Sequence, residues 1–157
     1  QARLLPHVSG IKKHRDLVED NFIEYLKIKI TKTKRGWYII DIPALLPRKE
    51  KGSASYIRAS VFTALERHFK YNLDPKLKGS TVLCFNHIYS KERSWRHMRD
   101  HDNIEVNVVV DAVALFLLED DGPAYCDHYY EGSIGDEDRT IITLLPKEDF
   151  VLYLQER

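Results

Sequence analysis

Over residues 26–34 the chain alternates apolar and polar side chains, with Leu26, Ile28 and Ile30 on one side and lysines on the other. A period of two predicts a strand with one buried face. Arg35 and Gly36 read as a turn, and 37–42 as a returning strand stopped by Pro43 and Pro47. Ahead of this pair, Leu17, Val18, Phe22, Tyr25 and Leu26 recur at steps of three and four. That period predicts a helix over 11–26, behind an arm of residues 1–10. Ile57, Val61, Ala64, Leu65 and His68 share one face of a second predicted helix over 56–69. A basic loop with Gly and Ser, 48–55, precedes it. An apolar strand follows over 81–89.

The stretch 104–118 is apolar at nearly every position, and its length favours a helix over a strand despite three consecutive valines. A helix apolar all round is buried in its own fold or at a subunit interface. Asn103 is placed to cap it, and Glu105 falls in its first turn. Strands are predicted over 124–130 and 139–145, with an acidic turn over 132–138 between them, and Pro146 starts a closing helical turn over 147–154. The resulting order, α-β-β-α-β-α-β-β, defines an α+β protein. Residues 1–36 form an N-terminal arm, helix and first strand, and 37–157 the main domain.

Composition narrows the choice. A chain of 157 residues with 43% hydrophobic content supports one domain with its own core. No apolar run approaches the roughly 18–20 residues that span a bilayer, so no membrane segment is expected. Lysine plus arginine and aspartate plus glutamate both total 24, which leaves zero net charge. Binding to nucleic acid therefore has to come from local basic patches. Cys84 and Cys126 lie in strand-like apolar stretches outside any CxxC pair, so buried reduced thiols and a cytoplasmic setting are expected. The sequence opens on Gln1 with no leader pattern, which reads as a piece of a longer protein.

Candidate chemistry concentrates at Asp100-His101-Asp102-Asn103, Asp111 and Asp120-Asp121. Two carboxylates two residues apart can reach one divalent ion, and hard oxygen ligands suit Mg²⁺ or Mn²⁺. Such an ion generates a hydroxide and neutralises a phosphodiester. Asn103, Asn107 and Asp111 fall at steps of four, a polar stripe that is costly to bury unpaired. The plainer account makes these residues helix caps, a turn, and a local hydrogen bond between Asp111 and Asn107 or the backbone. Lys91, Arg93, Arg96 and Arg99 lead directly into the acidic motif and are the better candidates for phosphate contacts. The lysines of 27–34 read instead as a solvated, edge-protecting face. A zinc site from His97, His101, Cys126 and His128 is the weaker metal reading. Tyr125, Tyr129 and Tyr130 read as strand packing. No Gly-rich phosphate loop and no GxSxG nucleophile pattern is present.

The DxDN run of Asp100, Asp102 and Asn103, the apolar helix holding Asp111-Ala112, and the Asp120-Asp121 pair together resemble the RusA-like Holliday-junction resolvases. The resemblance covers 37–145 and extends to the order of strands and helices. It implies a small mixed sheet packed with helices, in a homodimer acting on branched DNA in recombination or repair, as in a phage or mobile element. It implies Mg²⁺ (or Mn²⁺) held by Asp100, Asp102 and Asp121 with Asp120 adjacent, and Asn107 and Asp111 orienting the site. A helix over 104–118 is about 20 Å long. Asp102 and Asp121 then sit at its opposite ends. An intertwined two-fold dimer, with this helix at the interface, brings one subunit's Asp121 to the other's Asp102. Where those resolvases carry a functional lysine this chain has Glu105, Val106 and Asn107. The alternative is therefore a non-catalytic nucleic-acid- or protein-binding module on the same fold, and the plainest reading is a soluble α+β interaction domain.

Overall fold

Parallel strands need a crossover and antiparallel ones do not, and that difference organises the molecule. A computed structural model describes residues 26–49, 55–93, 98–119, 122 and 124–157. Five strands, β1 (Lys29–Lys32), β2 (Tyr38–Ile42), β3 (Thr81–Ser90), β4 (Cys126–Gly135) and β5 (Arg139–Pro146), form one sheet in the order β1-β2-β5-β3-β4. Only β3 and β4 pair in parallel; the other neighbours are antiparallel, so the sheet is mixed. Helix α1 (Ser55–Tyr71) carries the chain from β2 to β3, and α2 (Asn107–Leu117) from β3 to β4. The last strand, β5, fills the slot between β2 and β3. A short helix, α3 (Phe150–Gln155), closes the chain. The protein is thus an α+β fold with a five-stranded mixed sheet and three helices among the described residues.

Alternation in the strands assigns their side chains to two layers. Tyr38, Ile40, Ile42, Leu83, Phe85, Ile142 and Leu144 face α1 and α2, against Ile57, Val61, Leu65, Val109, Val113 and Leu117. Trp37, Val82, Cys84 and Leu145 face the other way, onto Tyr153 of α3 with Tyr129 and Phe150. The Trp37 indole N–H donates to Asp149 Oδ2 at 2.8 Å, fixing the start of α3 against the sheet. Covering both faces explains why 142–145 is buried without interruption. At the β1–β2 turn Gly36 has φ +84°, a conformation that favours glycine.

Several boundaries differ from those predicted. The apolar stretch 104–118 is helical only over Asn107–Leu117. Ile104 is instead extended and forms an antiparallel bridge with Arg48. Asn103 does not cap α2, because it ends a 3-10 turn over His101–Asn103. Val106 holds the N-cap position, and the Asn107 N–H is satisfied by Glu105 Oε1 at 3.1 Å. Nor is α2 buried all round. Asn107, Asp111 and Leu115 form an exposed stripe, with Leu115 56% exposed. The polar residues of that stripe meet water, which removes the cost of burying them. The β4 strand runs to Gly135, so the acidic turn shrinks to 136–138. A Cβ at Gly135 would lie 2.6 Å from Ile88 Cγ2, which is why a glycine ends that strand. The strands on either side of this turn are not neighbours, since β3 lies between them.

Apart from Leu26, the predicted helix over 11–26 lies outside the described residues, as do the arm and 50–54. The edge strand β1, grouped by sequence with that N-terminal part, pairs with β2 in the same sheet. No helix among the described residues is long and apolar enough to cross a membrane.

Candidate functional site

The parallel pair β3 and β4 ends on one side of the sheet, at Ser90 and Gly135, which are register partners. The link from β3 to α2 passes here, and it carries the acidic motif.

That motif is clamped at both ends. On one side the Tyr89 hydroxyl donates to the Arg99 carbonyl at 3.3 Å and lies 3.2 Å from the Arg99 N–H, which donates back to it. The Arg99 guanidinium donates to the Leu46 carbonyl. On the other side the Lys49 N–H donates to the Asn103 carbonyl at 3.0 Å, and the Glu105 N–H to Pro47 at 2.9 Å. Between these two bonds Ile104 is buried in the main core. The turn therefore holds Asp100, Asp102 and Asn103 out to solvent on a braced backbone. The Asp100 side chain makes no capping bond to the turn behind it.

His101, also exposed, lies against the strands. Its ring stacks on Tyr130, 5.9 Å between centroids, and lies 5.9 Å from the ring of His87. His87, on β3, is 1% exposed, and neither of its ring nitrogens has a hydrogen-bond partner. Burial, with His101 and then Arg99 nearby, holds it down at about 4, so the imidazole is neutral at pH 7. On β4, His128 Nδ1 is 2.9 Å from the Tyr130 hydroxyl, and burial lowers this histidine as well. Sequence reasoning treated 81–89 as an apolar strand and passed over His87. Its alternation with Leu83 and Phe85 was the available signal for an inward position.

Beside His101 is a cavity of about 360 Å³, lined by Tyr89, Met98, Arg99, His101, Gly132, Ser133 and Ile134. Burial and the neighbouring Arg48 both lower the affinity of Arg99 for its proton, with Arg93 adding to the effect. Guanidinium groups thus lie near one another at this rim, with the carboxylates of Asp100, Asp102 and Asp138 close by.

The predicted site residues divide as follows. Asp100 and Asp102 stand together, exposed, on the braced turn with Asn103. Asn107 and Asp111 lie on the outer face of α2, leading away from that turn. This helix is about 16 Å long, which separates the turn from Leu118 and Glu119 at its other end. Asp120, Asp121 and Arg96 lie outside the described residues, as do Trp95 and His97 of the basic link and the zinc reading. Lys91 pairs with Asp136 at 2.9 Å and Arg93 with Asp138 at 2.6 Å, so both cations already have carboxylate partners on the β4–β5 turn. Lys32, on the edge strand, pairs with Asp74 at 2.9 Å. Cys84 and Cys126 are reduced and buried, and burial pushes the Cys84 thiol up to about 12.

Among the described residues no three His, Cys, Asp or Glu side chains gather around one metal position. Mg²⁺ asks for less, since one or two carboxylates with water and substrate phosphate complete its shell. Asp100 and Asp102 are both exposed on one turn, and each offers carboxylate oxygens of the type such an ion takes.

A mixed five-stranded sheet with α1 and α2 on one face and α3 on the other, and an acidic turn at the ends of its parallel strands, defines an α+β domain with a solvent-facing polar site. The chain belongs to DUF6100, a family of unknown function whose profile matches residues 1–157. No curated protein matches it. Among solved structures it is similar to the periplasmic domain of Helicobacter pylori MotB. With residues 90–256 of MotB the identity is 8% over 83% of this chain and 86% of that one, at a TM-score of 0.43. With residues 97–256 the identity is 8% over 82% and 91%, at a TM-score of 0.41. At that identity the likeness says nothing about activity.

Proposed function

We propose that this protein is a RusA-like, Mg²⁺-dependent, structure-selective endonuclease of branched DNA, working as a homodimer in recombination or repair. The observation that carries this reading is that Asp100 and Asp102 are both exposed on one turn braced at Tyr89 and at Ile104, next to Arg99. A braced pair of carboxylates loses little freedom when it takes up a cation, and an arginine beside it suits a phosphodiester. Asp100 and Asp102 would hold Mg²⁺, or Mn²⁺ in its place. The ion would supply charge neutralisation at the phosphate and a water acidified for attack. Arg99, with Lys91, Arg93 and Arg96 of the same link, holds the DNA backbone. Asp120 and Asp121 follow the far end of α2, so in this reading they complete the acidic site across a two-fold axis, from the partner subunit. Asn107 and Asp111 line that axis and orient the site. Two buried reduced thiols suit action in the cytoplasm.

The test is incubation of the protein with a four-way DNA junction and Mg²⁺ or Mn²⁺, beside an Asp102→Asn control. Cleavage by the wild type, reduced about a hundredfold or more in the control, is the expected result. A wild type that neither binds nor cuts the junction refutes the proposal.

A second reading is a non-catalytic nucleic-acid- or protein-binding module on the same fold. It is favoured by the engagement of Lys91 and Arg93 with Asp136 and Asp138, and by Glu105, Val106 and Asn107 where the resolvases carry a lysine. Junction binding without cleavage, unaltered by Asp102→Asn, selects this reading.

A further inference from the structure

Apart from Arg99 in its lining, the cavity beside His101 has no part in the reading above. It lies on the α1/α2 face of the sheet, over the last residues of β3 and β4, with the link to α2 along its side. Tyr89 forms one wall, and its hydroxyl is held by the Arg99 backbone, so the ring is fixed. Gly132 contributes no side chain, and a Cβ there would be 3.6 Å from the Tyr89 ring. Met98 and Ile134 leave apolar surface uncovered at the opening, where Ile134 is 57% exposed. His101 presents a flat ring, and Arg99 supplies the cation. The volume, about 360 Å³, lies near the lower end for small-molecule pockets. It suits a single flat ring system and is too small for a peptide helix.

We propose that this cavity receives one unstacked nucleobase of the DNA whose phosphate is handled by the Asp100–Asn103 turn. The inference rests on the nuclease reading for its DNA, and on the cavity itself for the base. His101, Met98 and Ile134 offer the exposed aromatic and apolar surface on which a base stacks, with the buried Tyr89 behind them, and stacking of this kind tolerates any sequence. The guanidinium of Arg99, in the cavity lining, complements the phosphate of the same nucleotide. Branched DNA is a ready source of such a base, because stacking is already broken at its crossover.

The experiment titrates the isotopically labelled chain, followed by amide NMR, with deoxynucleoside 5′-monophosphates and with deoxyribose 5-phosphate as the baseless probe. Saturable shifts at His101, Gly132, Ser133 and Ile134 are expected at millimolar nucleotide and not with the baseless probe. Gly132→Val narrows the cavity on a strand that tolerates valine, and is expected to weaken nucleotide binding about tenfold while thermal unfolding stays cooperative. An equal response to both probes, no response at about 10 mM, or unchanged binding by Gly132→Val overturns the proposal.

A second arm compares an intact junction with one carrying an abasic nucleotide at the crossover. Loss of affinity that disappears in Gly132→Val places the base in the cavity. Junction binding indifferent to both changes refutes the base site and leaves the nuclease reading standing. Nucleotide binding in the cavity with no junction affinity supports the base site and counts against that reading.

Discussion

His87 lies under His101 with neither ring nitrogen bonded, so its protonation is linked to folding. Its pKa of about 4 in the folded chain stands against an ordinary value of 6.5. Between those values the unfolded chain binds a proton that the folded chain refuses, so stability falls as pH drops from 6.5 towards 4. The full loss is about 3 kcal/mol and is complete below the lower value. Urea unfolding of the wild type at pH 7 and pH 4.5 is expected to show most of this loss, and His87→Leu to reduce it. A mutant with the same pH dependence as the wild type places the titration elsewhere. At this scale the exposed acids were legible and the histidine was not. Asp100 and Asp102 fall in a polar segment, and such a segment faces water whatever packs nearby. The surroundings of His87 depend on His101, fourteen positions along the chain and brought over by the link. No local pattern shows that approach.

At the scale of elements, the key boundary is at Ile104. A run of apolar residues predicts a helix through it, yet the structure extends Ile104 and pairs it with Arg48. The run serves two purposes, since Ile104 plugs the core beneath the motif and Val109, Val113 and Leu117 pack α2 on the sheet. Periodicity separates helix from strand, and it does not separate a helix from an apolar anchor just before it. Ile104→Ala is expected to cost about 3 kcal/mol in global stability, because the side chain is fully buried. It is also expected to speed amide exchange at Lys49 and Glu105 beyond that global loss, as their bonds to Asn103 and Pro47 open locally. Exchange there that follows global unfolding alone would show that the brace does not depend on Ile104. Strand alternation was more legible. In β1 the inward residues follow from the alternation over 26–34, because a one-residue slip would turn its apolar side chains to the wrong face.

For the whole molecule, the prediction concerns assembly. In the proposed dimer the outer stripe of α2, Asn107, Asp111 and Leu115, meets its symmetry mate. An exposed leucine between polar residues is a natural centre for such a contact. Sedimentation at micromolar protein is expected to report twice the chain mass of 18.4 kDa, and Leu115→Asp to return the single-chain value. A wild type that sediments as one chain removes the dimer, and with it the sharing of acids between subunits.

The sequence by itself determined the α+β class, the buried face of β1, the order of elements over 26–157 and the acidic segment ahead of α2. These follow from local periodicity and from the preference of charged groups for water, both properties of short segments. Only the tertiary structure decided that β5 inserts between β2 and β3, that β3 and β4 run parallel, and that Tyr89, Leu46 and Pro47 brace the motif. Those outcomes depend on which distant surfaces bury each other, a competition among all segments at once that no single stretch of the chain records.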